Sequence, residues 1–292
     1  MKKWIGAISA ALALIVVSYF WLEGEKDQSF INNNQALFEE TVSFLSLHKN
    51  EIKSEGNFSS EPQIDEQEEG GWKLVFFDDF KGEKLNTKKW TAQKRKENYN
   101  NELQEYSPKN VEIRDGRLQL IAKDDGVAPK KYSSGLVETK GKFDFLYGKV
   151  EVKGRYPVGK GLFPAIWMLP SDGKDYLPEI DIFENVGHEP HLVYQVHHWR
   201  EHGKLKTTYN KTENQNIEID HIYGIEWEEN EIRWYVNEEL VFTSTTNIPD
   251  IPMHLIINLA IGGNWPGDPD SNTFFPAMFS IDYVKIYKKV GK

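Results

Sequence analysis

The sequence predicts an all-β fold, an antiparallel sandwich or barrel, on two observations. From Gly71 onward, runs of 5 to 6 residues rich in β-branched and aromatic side chains recur between Gly, Pro, Asn and Asp. Several of them alternate apolar with polar residues, the pattern of a strand with one buried face. No stretch of the same region keeps a 3.6-residue apolar period over three turns, so the helices that an α/β fold would interleave are missing. The clearest runs are Lys73 to Phe77, Leu118 to Ala122, Lys149 to Gly154, Glu231 to Val236 and Tyr283 to Tyr287. Short strands at roughly regular intervals suit a sandwich. With no internal repeat, residues 71–292 read as one domain.

Two segments precede that domain. Lys2 and Lys3 lead into a nearly uncharged apolar stretch, Trp4 to Leu22. It has the positive flank and apolar body of an export signal, and it approaches the roughly 20 residues that a membrane-spanning helix needs. No small-x-small cleavage site stands between Ser18 and Asp27. Residues 1–22 are therefore expected to stay as a membrane anchor rather than be removed as a signal peptide, with all that follows on the extracellular face. Residues 23–70 hold 12 acidic and 3 basic side chains, too polar a mixture to offset the entropy of ordering, and are expected to form an acidic linker. Within it, Phe38, Val42 and Leu45 share a helical stripe that marks Ala36 to His48 as a candidate short helix.

Composition excludes several functions. The 292 residues include 45 acidic and 35 basic side chains, a net charge of −10, the opposite of what displaces counterions from nucleic-acid phosphates. The absence of cysteine removes disulfides, thiolate metal sites and thiol nucleophiles. Aromatic residues make up 13% of the chain, which suits flat, weakly charged ligands and β cores alike.

The most informative segment is Leu177-Pro-Glu-Ile-Asp-Ile-Phe-Glu184, which puts three carboxylates into what otherwise reads as a buried strand. In a regular strand Glu179, Asp181 and Phe183 share a face and Glu184 points away. One β-bulge after Asp181 would return Glu184 to the side of Glu179 and Asp181, and bulges re-aim side chains in this way beside active sites. Crowded carboxylates raise one another's pKa, so one stays protonated while another is ionised. Glycoside hydrolysis needs that division between an attacking group and a proton donor, and a close pair implies retention of anomeric configuration. An acidic edge strand or a calcium site would also explain three carboxylates. The neighbours Ile180, Ile182 and Phe183 imply a packed strand and favour catalysis.

At these residues the sequence resembles glycoside hydrolase family 16, in the laminarinase or endo-β-1,3-glucanase branch marked by E-I-D-x-x-E. Further motifs keep the family's order: Trp72 to Phe80, Asn100-Asn-Glu-Leu-Gln104, Tyr147-Gly-Lys-Val-Glu151, Gly159 to Leu169, Asn258 to Gly267 and Asp282 to Tyr287. The resemblance implies a β-jelly roll of two stacked antiparallel sheets with a concave cleft. It also implies Glu179 as nucleophile, Glu184 as general acid/base and Asp181 as the residue that orients the nucleophile. Phe163 and Trp167, four apart on one strand, are expected to stack on sugar rings, although relatives usually carry Trp at both positions. His198 is expected to face the cleft, with His197 taking that place if the register slips by one. Asn101 and Trp265 are expected to border the cleft. Leu136 stands where many laminarinases have an Arg that lines it. The resemblance further implies a structural calcium held by Asp79, Gly116 and Asp282, and no cofactor for catalysis.

The function expected is a retaining endo-glycosidase of β-1,3-glucan or mixed β-1,3/1,4-glucan, monomeric, with a polysaccharide as partner and no nucleic acid. A glucan transglycosylase, or a hydrolase of agar or carrageenan, would use the same groups. A non-catalytic surface glucan-binding protein would be expected to lack the carboxylates that are present here.

Overall fold

The computed structural model describes residues 68–69, 71–125 and 131–291. The expected anchor over 1–22, the linker up to residue 67 and the candidate helix Ala36 to His48 lie outside the described residues. The domain begins slightly earlier than the sequence suggests, because Glu68 and Glu69 pair with Lys73 and Trp72.

Two large antiparallel sheets form a jelly-roll sandwich. The nine-stranded sheet runs β1 (Glu68–Glu69), β2 (Trp72–Asp78), β18 (Ala277–Lys289), β9 (Gly148–Arg155), β14 (His221–Trp227), β15 (Ile232–Val236) and β16 (Glu239–Ser244), with β5 (Val111–Arg114) and β6 (Arg117–Ala122) joined through β18. The seven-stranded sheet runs β13 (Lys204–Glu213), β12 (Leu192–Glu201), β11 (Glu179–Glu184), β10 (Leu162–Pro170), β17 (Met253–Ile261), β8 (Leu136–Glu138) and β3 (Thr91–Ala92). A short parallel pair, β4 (Gln104–Tyr106) and β7 (Tyr132–Ser134), completes the β structure. Among the described residues there is no α-helix.

The core lies between the sheets. Alternation along β9 buries Val150 and Val152 and leaves Lys149 and Lys153 partly exposed, as expected of a strand with one dry face. Every residue of β17 is buried. Its odd-numbered apolar residues face the core, while Asn258 on the other face accepts from Trp167 Nε1 at 2.7 Å and donates to Tyr106 Oη at 2.9 Å. Among the described residues three indoles are wholly buried, and each finds an acceptor: Trp90 on Asp78 Oδ2 at 2.9 Å, Trp227 on Pro249 O at 3.1 Å, and Trp234 on Asp181 O at 2.9 Å. Buried indoles need such partners. The high aromatic content therefore serves the core first.

Trp234, on β15, reaches across the core to the backbone of β11 in the opposite sheet. At that point β11 carries an extra residue: Asp181 faces Val196 and Glu184 faces Tyr194, three steps on β11 against two on β12. The same irregularity shows against β10, where Phe183 pairs with Ile166 and Asp181 with Trp167. Ile182 and Phe183, adjacent in sequence, both belong to the core. Replacing Trp234 with Phe leaves the buried Asp181 carbonyl without its donor. We expect a loss of about 1–3 kcal/mol in urea unfolding, and unchanged stability would show that this bond does not hold the bulge.

Candidate active site

The bulge decides which side chains meet. It turns Phe183 inward beside Ile182 and returns Glu184 to the outer, concave face with Glu179 and Asp181. The cross-strand register then aligns the neighbours in rows: Glu179 with His198 and Thr207, Asp181 with Trp167, Val196 and Tyr209, Glu184 with Tyr194 and Lys211. A cavity of about 510 Å³ opens above these rows, with Glu179, Glu184 and His198 in its lining.

Burial dominates the titration of the three carboxyls. It pushes Glu179 up to about 7, against the opposing pull of a hydrogen bond with Asp181. Glu184 rises to about 8, from burial first and the charge of Glu179 second. Asp181 is pushed well above the usual carboxylate range by burial, then by the charges of Glu179 and Glu184. Asp181 is 2% exposed, and its Oδ2 has no hydrogen-bond partner among the described residues, a costly place for a charge. Of the three, Asp181 is therefore the one whose surroundings oppose a charge most directly, and it is the donor in the hydrogen bond to Glu179. This arrangement supplies, on one face, an ionisable carboxylate, a neutral carboxyl that orients it, and a second neutral carboxyl able to give a proton.

His198 shares a hydrogen bond with Thr207 through Nδ1 at 2.7 Å, and its Nε2 lies 3.6 Å from Asp181 Oδ2. Burial lowers its pKa, so the imidazole is neutral at neutral pH and the contact is not an ion pair. His197 points the other way, fully buried against Ser244 Oγ at 3.1 Å and depressed to about 4 by burial. The register thus puts His198, not His197, in the cleft. Donor atoms of Glu179, Asp181 and His198 lie within 4.8 Å of one another, but the bond between the two carboxyls already uses oxygens that a cation would require.

Of the expected wall residues, Phe163 and Trp265 line the cavity. Their rings meet edge to face at 5.6 Å, and Trp265 meets Tyr194 at 4.7 Å, which makes an aromatic corner. Trp167 shares the outer face of β10 with Phe163 but is not in this lining; it packs against Tyr106, Leu136 and Ile256. Leu136, 2% exposed, is part of that support and not of the cleft wall. Asn101 also departs from expectation. Its Nδ2 donates to Asn264 Oδ1 at 2.7 Å, while Asn100 and Glu102 line the cavity. Asn100 and Asn101 both have positive φ, 54° and 59°, so strand alternation does not apply there. Tyr194, Thr207, Tyr209 and Lys211 complete the lining and were not foreseen. Tyr194 could have been, because it lies four residues before His198 on one strand and so shares its face.

Comparison with known proteins follows the same lines. The model for Glycosyl hydrolases family 16 matches residues 92–285, and that for beta-glucan synthesis-associated protein SKN1/KRE6/Sbg1 matches residues 4–176. The chain is 34% identical over 252 residues to a beta-glucanase of Rhodothermus marinus, covering 75% of this chain and 86% of that protein. It is also 34% identical over 263 residues to glucan endo-1,3-beta-glucosidase A1 of Niallia circulans, covering 75% of this chain but only 38% of that longer protein. The laminarinase catalytic domain of Thermotoga maritima superposes with a TM-score of 0.69 at 32% identity, covering 75% of this chain and 99% of that domain.

The expected calcium site does not fit the residues around it. Lys81 Nζ donates to Gly116 O at 3.0 Å and lies 3.8 Å from Asp282. Asp282 also pairs with Lys153 Nζ at 3.0 Å and with Arg117 Nη1 at 3.8 Å, while Asp79 Oδ1 accepts from the backbone N–H of Lys81 at 3.3 Å. The oxygens that would ligate Ca²⁺ are thus satisfied by the protein's own donors, and three cations would repel the ion. Asp79, Gly116 and Asp282 are corrected from calcium ligands to partners of Lys81, Lys153 and Arg117. Millimolar Ca²⁺ or a chelator is expected to leave the melting temperature unchanged, and a rise on adding Ca²⁺ would contradict this reading.

Proposed function

The chain belongs to glycosyl hydrolases family 16, and from that premise we propose that it is a retaining endo-β-1,3-glucanase, acting on laminarin-type and mixed β-1,3/1,4-glucans. The observation that carries the proposal is the set of three carboxyls on the bulged strand, in graded protonation, beneath an aromatic-walled cavity. The relatives named beta-glucanase, glucan endo-1,3-beta-glucosidase and laminarinase support the substrate class.

Glu179, with its charge steadied by the hydrogen bond from Asp181, attacks the anomeric carbon. As the carbon–oxygen bond to the departing sugar breaks, Glu184 gives its proton to the leaving oxygen. A covalent glycosyl ester on Glu179 results. Glu184, now ionised, takes a proton from water as that water attacks the same carbon, and the ester bond to Glu179 breaks. Two displacements restore the starting configuration. Phe163 and Trp265 offer ring surface for the apolar faces of the sugars, and His198 holds the floor beside Asp181.

Glu179→Gln is expected to reduce reducing-end release from laminarin by several orders of magnitude, while anomeric NMR of the wild-type reaction shows the β-product first. Full activity of that variant, or initial inversion, would refute the assignment. The pH dependence has a definite sign. Activity falls as pH drops below about 7, where Glu179 takes up a proton, and as pH rises through about 8, where Glu184 loses its own; the two limbs belong to the coupled group. With an aryl glucoside whose leaving group needs no proton, Glu184→Ala should lose the alkaline limb. Its persistence would assign that limb to another residue.

We further place the enzyme outside the cell, held at the membrane by residues 1–22 and spaced from it by residues 23–70. The lysine flank and apolar run of the sequence support this placement. Washed membranes of expressing cells should retain the full-length chain, and a shortened form in the medium would show instead that the segment is cleaved.

A further inference from the structure

The cleft is built differently on its two sides. On one side rise Phe163 and the segment that carries Asn264 and Trp265. On the other, the seven-stranded sheet continues past β11 through β12 and ends at β13, its edge strand. Residues on the core side of β13 are engaged: Asn210 Nδ2 donates to Val241 O at 3.1 Å, and Thr212 Oγ1 to Gln195 Oε1 at 2.9 Å. By the two-residue period of a strand, Leu205, Thr207, Tyr209 and Lys211 take the concave side, and the last three line the cavity.

Tyr209 differs from the other rings there. It is 59% exposed, and among the described residues its ring stacks on no other ring and its hydroxyl bonds no side chain. Tyr194, by contrast, is held by Trp265, by a hydrogen bond to Glu189, and by Lys211 Nζ 5.2 Å above its ring. Tyr209 stands in the row of the catalytic strand, opposite Val196, which is opposite Asp181. Val196, 5% exposed, leaves the intervening floor low. With strands about 4.8 Å apart, Tyr209 sits about 10 Å from β11 across the sheet. An exposed phenol ring held by no other ring and no side-chain hydrogen bond among the described residues has a use as a platform for the apolar face of a pyranose.

Resting on the glucanase reading, we propose that Tyr209 forms an outer subsite of the cleft. It stacks on a neutral glucosyl unit beyond the two joined at the scissile bond, so that β13 sets how much glucan chain the enzyme grips on this side. The subsite is additional to the corner formed by Phe163, Trp265 and Tyr194.

The test compares β-1,3-linked glucose hexamer with trimer as substrates for the wild type, Tyr209→Ala and Tyr209→Phe. Tyr209→Ala should lower the hexamer-to-trimer ratio of kcat/KM by about 3- to 10-fold, the range given by one aromatic stacking contact. The loss should appear in KM, the melting temperature should not move, and Tyr209→Phe should keep the wild-type ratio. An unchanged ratio in Tyr209→Ala, or an equal fall for both substrates, would overturn the subsite. A wild-type chain that cleaves neither oligosaccharide would refute the glucanase reading, and the subsite with it.

Discussion

Three carboxyl groups on one face of a single strand cannot all be charged in a buried place, and much of the molecule is arranged around that constraint. Burial raises all three pKa values, and mutual repulsion separates their roles. Asp181, the most enclosed, keeps its proton and turns it towards Glu179. Glu184, across the bulge, keeps a proton that it can give away. A regular strand would send Glu184 into the core, where Ile182 and Phe183 now sit, so the chemistry depends on one extra residue in β11. The opposite sheet supports that residue through the indole of Trp234 on the Asp181 carbonyl. Core packing and catalysis are therefore linked at one backbone atom.

The aromatic residues divide between the same two tasks. Trp90, Trp227 and Trp234 fill the space between the sheets, each with its N–H satisfied, while Phe163, Trp265 and Tyr194 meet at the cleft. Trp167 stands between these groups: its N–H is bound to Asn258, and its ring leans on buried neighbours beside Asp181. The cleft is uneven as a result, with a packed corner on one side and an open edge strand on the other.

Much of this was legible in the sequence where local rules decide the outcome. The strands followed from alternation and turn residues, and the bulge from the mismatch between a two-residue period and the spacing of Glu184. His198 followed from its place on the strand after the carboxylates. What escaped depends on contacts between distant segments. Nothing local in the chain indicates that Lys81 reaches Gly116 O, 35 residues away, and bonds an oxygen that was expected to bind calcium. Nor does strand alternation reach Asn100 and Asn101, whose positive φ values place Asn100, and not Asn101, on the cavity. Tyr209 and Lys211 lie on a strand whose partner register had first to be known.

The division of protons among the three carboxyls can be measured without substrate. Carbon-13 labelling of the Asp and Glu side-chain carboxyls, with Asp181→Asn, Glu179→Gln and Glu184→Gln used for assignment, would follow each group through a pH titration. An Asp181 that titrates well above the usual carboxylate range, with Glu184 near 8, is the expected result. If all three groups titrate together near the ordinary carboxylate range of about 4, the strand is only an acidic surface and the account of its chemistry is wrong.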